Sequence, residues 1–364
     1  MVAQTNSSVI IIEKKRIFKM KGANRVIKRN KAPTRKDVAK LAGVSETVVS
    51  YVLNNNRYVA KDKRERVLAA VEELNYRPNN IALALKGKGT NHILFICDTI
   101  SNEYFGKLVE EMARIAYESG FLISLLGSRN DDNFVSQVCS RVFDGIVISS
   151  TSFEEKYVLQ LINTGTPVVL LMNREYENVA GRAARIYTGI HNSVRDCVKL
   201  LYDRGRRNIV YIDRVSKKRQ FSTMADWRYN GYVTAMQEFG FKVTKDNVIV
   251  GYETEEELYC ALRDRIKAGL KVDAIVGRND SLACVAMAAV KDCDLRIPED
   301  VMVVGFDNSR LSNYSTPGLS SVELNKPAIA KAIMDAFEKM SSGAEPPVIY
   351  FDGHIVERES TLIK

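Results

Sequence analysis

Between Thr34 and Asn54 the chain can form little except two short helices joined by a tight turn. The Thr34 hydroxyl can cap a helix starting at about Arg35. Asp37, three residues on, stands where a carboxylate satisfies a free amide and favours the positive end of the helix dipole. Val38, Ala39, Leu41 and Ala42 then form an apolar stripe at helical spacing. Gly43 supplies the backbone freedom for the turn, and Val44 fills the gap behind it. Ser45 caps the second helix, in which Val48, Val49, Val52 and Leu53 point inward. Glu46, Thr47, Ser50 and Tyr51 are left outside, and an exposed second helix of this kind suits the major groove of DNA. A third amphipathic segment, Lys61 to Leu74, offers Val67, Leu68, Val71 and Leu74 on one face. Three such helices are about the least that can enclose a core.

Charge is segregated in the same direction. Residues 1–90 hold 20 Lys or Arg against 7 Asp or Glu, whereas the whole chain carries +9. A basic head on a mildly acidic body concentrates attraction for phosphate at one end, so nucleic acid is the implied partner.

Beyond the head, short runs rich in Val and Ile alternate with amphipathic stretches, the rhythm of a parallel α/β fold. The first series is 93–97, 121–126, 145–149 and 168–172, and the second is 209–213, 248–250, 273–277 and 301–306. About 270 residues fit two doubly wound sheets better than one. Ligands of such sheets sit at the carboxyl ends of the strands. The residues there are polar: 101–105, Ser149 to Ser152, 226–231, 278–280 and 305–308.

The run from Thr34 to Asn54, followed by Tyr76, Arg77, Pro78 and Asn79, resembles the LacI/GalR family of bacterial transcription regulators, and the resemblance covers nearly everything after residue 33. It implies a small all-α helix-turn-helix domain over 34–78 and a hinge helix and linker over 79–90. A two-lobed α/β body like the periplasmic sugar-binding proteins would follow over 91–364. Lobe one would take about 91–190 plus 322–341, and lobe two about 191–321 plus 342–364. The resemblance also implies a cytoplasmic homodimer or higher assembly acting as a repressor on double-stranded pseudo-palindromic operator DNA. A small sugar or sugar-like effector would control it. Leu85 of the hinge would wedge into the minor groove with Ala82 against its floor and Asn79 at its start. Glu46, Thr47 and Tyr51 would choose bases, while Thr34, Ser45, Ser50, Asn54, Tyr58 and Tyr76 would hold phosphates. In the body, Arg228, Asn279, Asp280 and Asp307 match the effector-clamping positions. Tyr104 or Phe105 could cover a ring face, and Ser149 stands at a strand end. The chain departs from the pattern at Val48 and Tyr51 on the second helix, and at Glu103, Met172, Asn173 and Glu253 in the body.

Other classes find little support. The three histidines, 92, 191 and 354, share no metal-ligand spacing, and no catalytic constellation or cofactor motif stands out, so neither an enzyme nor a metal site is expected. Six cysteines without a CxxC read as reduced core residues. Residues 87–90 lack phosphate-loop spacing and read as a flexible joint. Residues 1–33 are basic and unpatterned, which fits a disordered arm. Residues 9–12 are too short for a secretory core, and no run approaches the ~18 apolar residues of a membrane span. A solute-binding receptor would explain residues 91–364 and leave the basic head idle.

Overall fold

The computed structural model describes residues 33–77 and 89–363. The chain separates into two units, Met1–Asn79 and Asn80–Lys364. Apart from Pro33, the arm expected at 1–33 lies outside the described residues, as do the hinge positions Asn79, Ala82 and Leu85.

In the first unit, α1 (Arg35–Ala42) begins with a reciprocal cap. Thr34 Oγ1 accepts from the Asp37 amide at 3.3 Å while the Asp37 carboxylate takes the Thr34 amide at 2.8 Å. Gly43 ends the helix at φ 62°, a left-handed conformation that a side chain would strain. α2 (Glu46–Asn54) is capped by Ser45, whose Oγ accepts from the Val48 amide, and α3 (Lys61–Glu73) closes the unit. Val38, Ala39, Ala42, Val49, Val52, Val67, Ala70 and Tyr76 form its buried core. Leu41 and Leu68, expected inside, are 46% and 49% exposed because the buried stripes are narrow and leave both at their margins.

The second unit holds two six-stranded sheets. One runs β11-β5-β4-β3-β1-β2, from β1 (His92–Cys97), β2 (Leu122–Gly127), β3 (Gly145–Ser149), β4 (Val168–Leu171), β5 (Ala184–Tyr187) and β11 (Val348–Tyr350). The other runs β12-β10-β9-β8-β6-β7, from β6 (Ile209–Ile212), β7 (Val248–Ile249), β8 (Ala274–Gly277), β9 (Met302–Phe306), β10 (Ser320–Leu324) and β12 (Gly353–Val356). Every pairing is parallel except β10 with β12. The central strands β1, β3, β4, β6, β8 and β9 are buried almost throughout, as sheets covered by helices on both faces require. The covering helices are α4 (Glu103–Glu118), α5 (Asp132–Cys139), α6 (Glu155–Ile162), α7 (Ile190–Asp203), α8 (Trp227–Glu238), α9 (Glu255–Lys267), α10 (Asp280–Lys291) and α12 (Lys326–Ser341), with the short α11 (Arg310–Tyr314) beside them.

The lobe boundaries differ from the sequence expectation. Residues 322–324 belong to β10 in the second sheet, and 348–350 form β11 in the first, so each lies in the lobe opposite to the expected one. Strands this short have no period to read, and their hydrogen-bonding partners are distant in sequence. The chain therefore crosses between lobes three times, at residues 188–189, 325 and 351–352. Two crossings touch: a Cβ on Gly189 (φ 81°) would lie 2.7 Å from the Phe351 carbonyl oxygen and 2.8 Å from the Gly353 nitrogen. Only glycine lets these two segments pass so closely.

A candidate DNA-reading face and a candidate effector cleft

On the first unit, the Ser45 cap and the Gly43 turn fix α2 so that Glu46 and Thr47 are exposed at its start. Tyr51 lies one turn further along, half-buried, with the Arg57 guanidinium over its ring at 5.2 Å. Arg57 escaped the sequence reading, because nothing in the spacing links it to Tyr51 until the loop after α2 folds back. Asn54 donates to the Ser50 carbonyl at 2.8 Å and to Ser50 Oγ at 3.1 Å, and Tyr58 is 94% exposed. The Thr34 and Ser45 hydroxyls are engaged in capping and remain at the surface. Tyr76 is different. Expected at a phosphate, it is only 8% exposed and packs in the core, where its ring completes a three-helix interior too small to do without it.

In the second unit a cleft of about 820 Å³ opens at the carboxyl ends of strands from both sheets. Of the seven expected effector residues, Tyr104, Phe105, Arg228, Asn279, Asp280 and Asp307 line it, and Ser149 does not. Ser149 is fully buried one layer back, where its Oγ accepts from Asn173 Nδ2 at 2.9 Å and so orients a residue that does line the cleft. It ends an all-buried strand, so its side chain turns into the sheet packing. Asp280 needs a similar correction. Its carboxylate accepts from the Ser309 amide at 2.6 Å and from Ser321 Oγ at 2.5 Å, tying three strand ends together. Burial outweighs these bonds and pushes its carboxyl up to about 6. Asn279 Oδ1 caps α10 by accepting from the Leu282 amide, leaving its amide group to the cleft.

The first-lobe wall centres on Asp98, just past β1. It accepts from Ser150 Oγ, from the Thr151 amide at 2.7 Å, from Thr151 Oγ1 at 3.0 Å and from Ser152 Oγ at 2.8 Å. Burial alone would raise this carboxyl, but the hydrogen bonds hold it below its ordinary value. Tyr104 and Phe105, at the start of α4, meet edge to face at 5.4 Å and supply the apolar surface.

The second-lobe wall is ionic. Arg228, on α8, reaches Asp307 at 3.3 Å and lies 4.5 Å over the Phe306 ring. Asp307 is buried, apart from its edge on the cleft, with φ 98°, and burial, outweighing Arg228, raises its carboxyl. Two arginines that the sequence reading did not carry forward join it. Arg278 donates to Asp226 at 2.7 Å, to Ser222 Oγ at 3.0 Å and to Asp213 at 3.4 Å, and Arg214 donates to Asp226 and Ser222. Burial would raise Asp226, but Arg278, then Arg214 and Arg228, hold it down to about 2. Arg278 directly follows β8 and Arg214 lies two residues past β6, a signal that could have found them. Arg278 even precedes the matched Asn279 and Asp280.

The lobes meet over the cleft. The Trp227 amide donates to the Asn173 carbonyl at 3.1 Å, and the Arg310 amide to the Glu103 carboxylate at 3.2 Å. Glu253, expected where relatives stack an aromatic, instead pairs with Arg219 at 2.9 Å away from the lining. Among the described residues there is no group of His, Cys, Asp and Glu placed to hold a metal, and no helix long and apolar enough to cross a membrane. The six cysteines are unpaired; Cys97 and Cys197 are buried, but Cys139 is at the surface rather than in the core.

Comparison with known proteins agrees with both halves. Residues 34–79 match the family model of bacterial regulatory proteins of the lacI family, and residues 198–361 match a periplasmic binding protein-like domain. The HTH-type transcriptional repressor PurR of Pasteurella multocida (strain Pm70) is 29% identical over 338 residues, covering 90% of this chain and 98% of the relative. The PurR repressor of Haemophilus influenzae (strain PittEE) is 30% identical over 299 residues, covering 80% and 86%. Among solved structures, a lac repressor dimer bound to operator and the anti-inducer ONPF superposes with a TM-score of 0.77 at 22% identity, covering 92% of this chain and all of that one. A complex of the transcriptional regulator CelR with cellobiose gives 0.65 at 23% identity, covering 90% and 99%. With its head matched by the family model and a repressor 30% identical across most of both chains, the protein belongs to the lacI family of bacterial regulatory proteins.

Proposed function

We propose that this protein is a repressor that binds operator DNA as a dimer, under the control of a small polyhydroxyl effector held in the cleft. One observation carries the reading: a single chain joins an exposed, well-capped second helix to a two-lobed body whose polar cleft draws side chains from both sheets. Glu46, Thr47 and Tyr51 read base edges, with Arg57 over Tyr51 as a further basic contact. Thr34, Ser45, Ser50, Asn54 and Tyr58 set register on the phosphates. Leu85 and Ala82 are assigned to the minor groove, and Asn79 to the start of the hinge, by the family resemblance alone. In the cleft, Asp307 accepts hydroxyl protons, Arg228 and Asn279 donate, and Tyr104 and Phe105 cover an apolar face. The relatives are repressors rather than enzymes, and the reading assigns the cleft no catalytic step and the protein a cytoplasmic location.

Effector control follows from the cleft's place between the lobes. A ligand touching both walls favours the closed arrangement of the body by its differential affinity and so shifts the population that can hold operator. The test is fluorescence anisotropy of the full chain on its own promoter DNA across a salt series. Affinity should fall steeply with salt, and changing Glu46 and Thr47 together to Ala should lose roughly tenfold or more on that site. Salt-insensitive binding, or none, would sink the regulator reading.

A further inference from the structure

We propose that the effector of this cleft carries an anionic group, a carboxylate or a phosphate, seated against the guanidinium groups of Arg214 and Arg228, beside the already paired Arg278. This deepens the effector reading above and rests on it.

The hydrogen-bond accounting of the second-lobe wall supports it. Each guanidinium has five N–H donors and no acceptor. Asp226 Oδ2 accepts from Arg214 at 2.5 Å and from Arg278 at 2.7 Å; Arg278 has a second acid in Asp213 at 3.4 Å, whereas Arg214, among the described residues, has only its share of Asp226. Arg228 has a single long pair, 3.3 Å to Asp307, and its Nε is buried without a partner. Among the described residues nothing accepts from Arg214 Nη1. The three side chains are 18%, 13% and 10% exposed for Arg214, Arg228 and Arg278, and all three line the cleft.

Charge points the same way. Burial, and after it the nearby Arg278, lowers the Arg214 guanidinium, so Arg214 is short of compensating negative charge. The one acid that pairs with Arg228 among the described residues, Asp307, is 3.3 Å away, and burial raises its carboxyl. The remaining acids of the lining are engaged: Asp98 by the hydroxyls and amides around it, Glu103 by Lys107 and the Arg310 amide, Glu255 by Ser281 at 2.6 Å, and Asp280 by Ser309 and Ser321. Lys217 at the lining adds another positive charge. A hydroxyl could accept from one of these donors but would leave the shortfall of negative charge at Arg214 unanswered. A carboxylate or phosphate accepts two parallel N–H bonds from a guanidinium fork and answers the charge as well. The rival account is that the network only pins the loop between β6 and α8, through Ser222 and Asp226, and recognises nothing.

The experiment is calorimetric titration and thermal shift of the full chain with glucose, glucuronate, glucose 6-phosphate and inorganic phosphate at millimolar concentration. We expect an anionic probe to bind at least roughly tenfold more tightly than glucose, and Arg214→Gln to lose roughly tenfold of that affinity. The better of glucuronate and glucose 6-phosphate tells carboxylate from phosphate, and Arg214-dependent binding of inorganic phosphate alone also supports the proposal. Lys217→Gln, at an exposed position, is the companion variant in case Arg214→Gln misfolds, and should weaken the anion by a smaller factor. Glucose binding as tightly as every anion, no melting shift with any anion, or unchanged anion affinity in the variants that fold overturns it. Operator binding measured on the same samples separates the two readings. Its absence sinks the regulator, whereas a failed anion series with operator binding intact sinks only this inference.

Discussion

The two walls of the cleft hold a carboxylate in opposite ways. Asp98 on the first wall is surrounded by hydroxyls and amides, and Asp226 on the second by arginines. Neutral donors spread a charge without adding another, and each can turn to water if the carboxylate goes. Guanidiniums stay charged whatever happens to their partner, so the second wall is fixed by mutual need. The same topology thus gives one wall that tolerates change and one that does not.

The largest expected effect tests that contrast directly. Asp226→Ala, which leaves Arg278 and Arg214 without their shared partner, should destabilise the body by roughly 3–5 kcal/mol. Asp98→Ala should cost less, about 1–3 kcal/mol. Urea melts of both variants decide it, and equal losses would mean that the ionic wall is no more interdependent than the hydroxyl wall.

Next in size is a pH effect. Asp280, at about 6 against an ordinary 3.8, holds its proton more tightly in the folded chain than in the unfolded one. Its contribution to stability therefore falls as pH rises from about 4 to about 6. Asp226 behaves oppositely: its contribution is present above 3.8 and is lost as pH falls toward about 2. Relative to wild type, Asp280→Asn should gain stability across that rise by up to ~3 kcal/mol. A difference between the two proteins that does not change with pH removes the assignment.

The smallest effect concerns the bridge between the lobes. Glu103 accepts from the Arg310 amide and pairs with Lys107 at 2.7 Å, in a partly solvated setting. Glu103→Gln should change stability by under about 1 kcal/mol while making the closed arrangement of the cleft easier to open, seen as faster amide hydrogen exchange around α11. Unchanged exchange would show that the Trp227–Asn173 contact closes the cleft without it.

The head was legible almost residue by residue. Thr34, Asp37, Gly43 and Ser45 act through neighbours within a few positions, so the order of the chain already contains the contact. The central strands were legible for a related reason, since full burial writes a continuous apolar run. Tyr76 and Ser149 were misread because a polar atom at an element's end looks the same from sequence whether it faces solvent or packing.

What the sequence determined by itself is therefore local: the caps, the turn, the exposed face of α2, the buried strands and the polar character of their ends. What only the tertiary structure decided is which distant pieces share a sheet and which charges share a partner. β10 and β11 took their places through ladders to β9 and β5, and Asp226, Arg214 and Arg278 became one network where the ends of β6 and β8 converge on the start of α8. Hydrogen bonds and Coulomb attraction act over a few ångströms in space, whatever the separation along the chain, and folding sets that proximity.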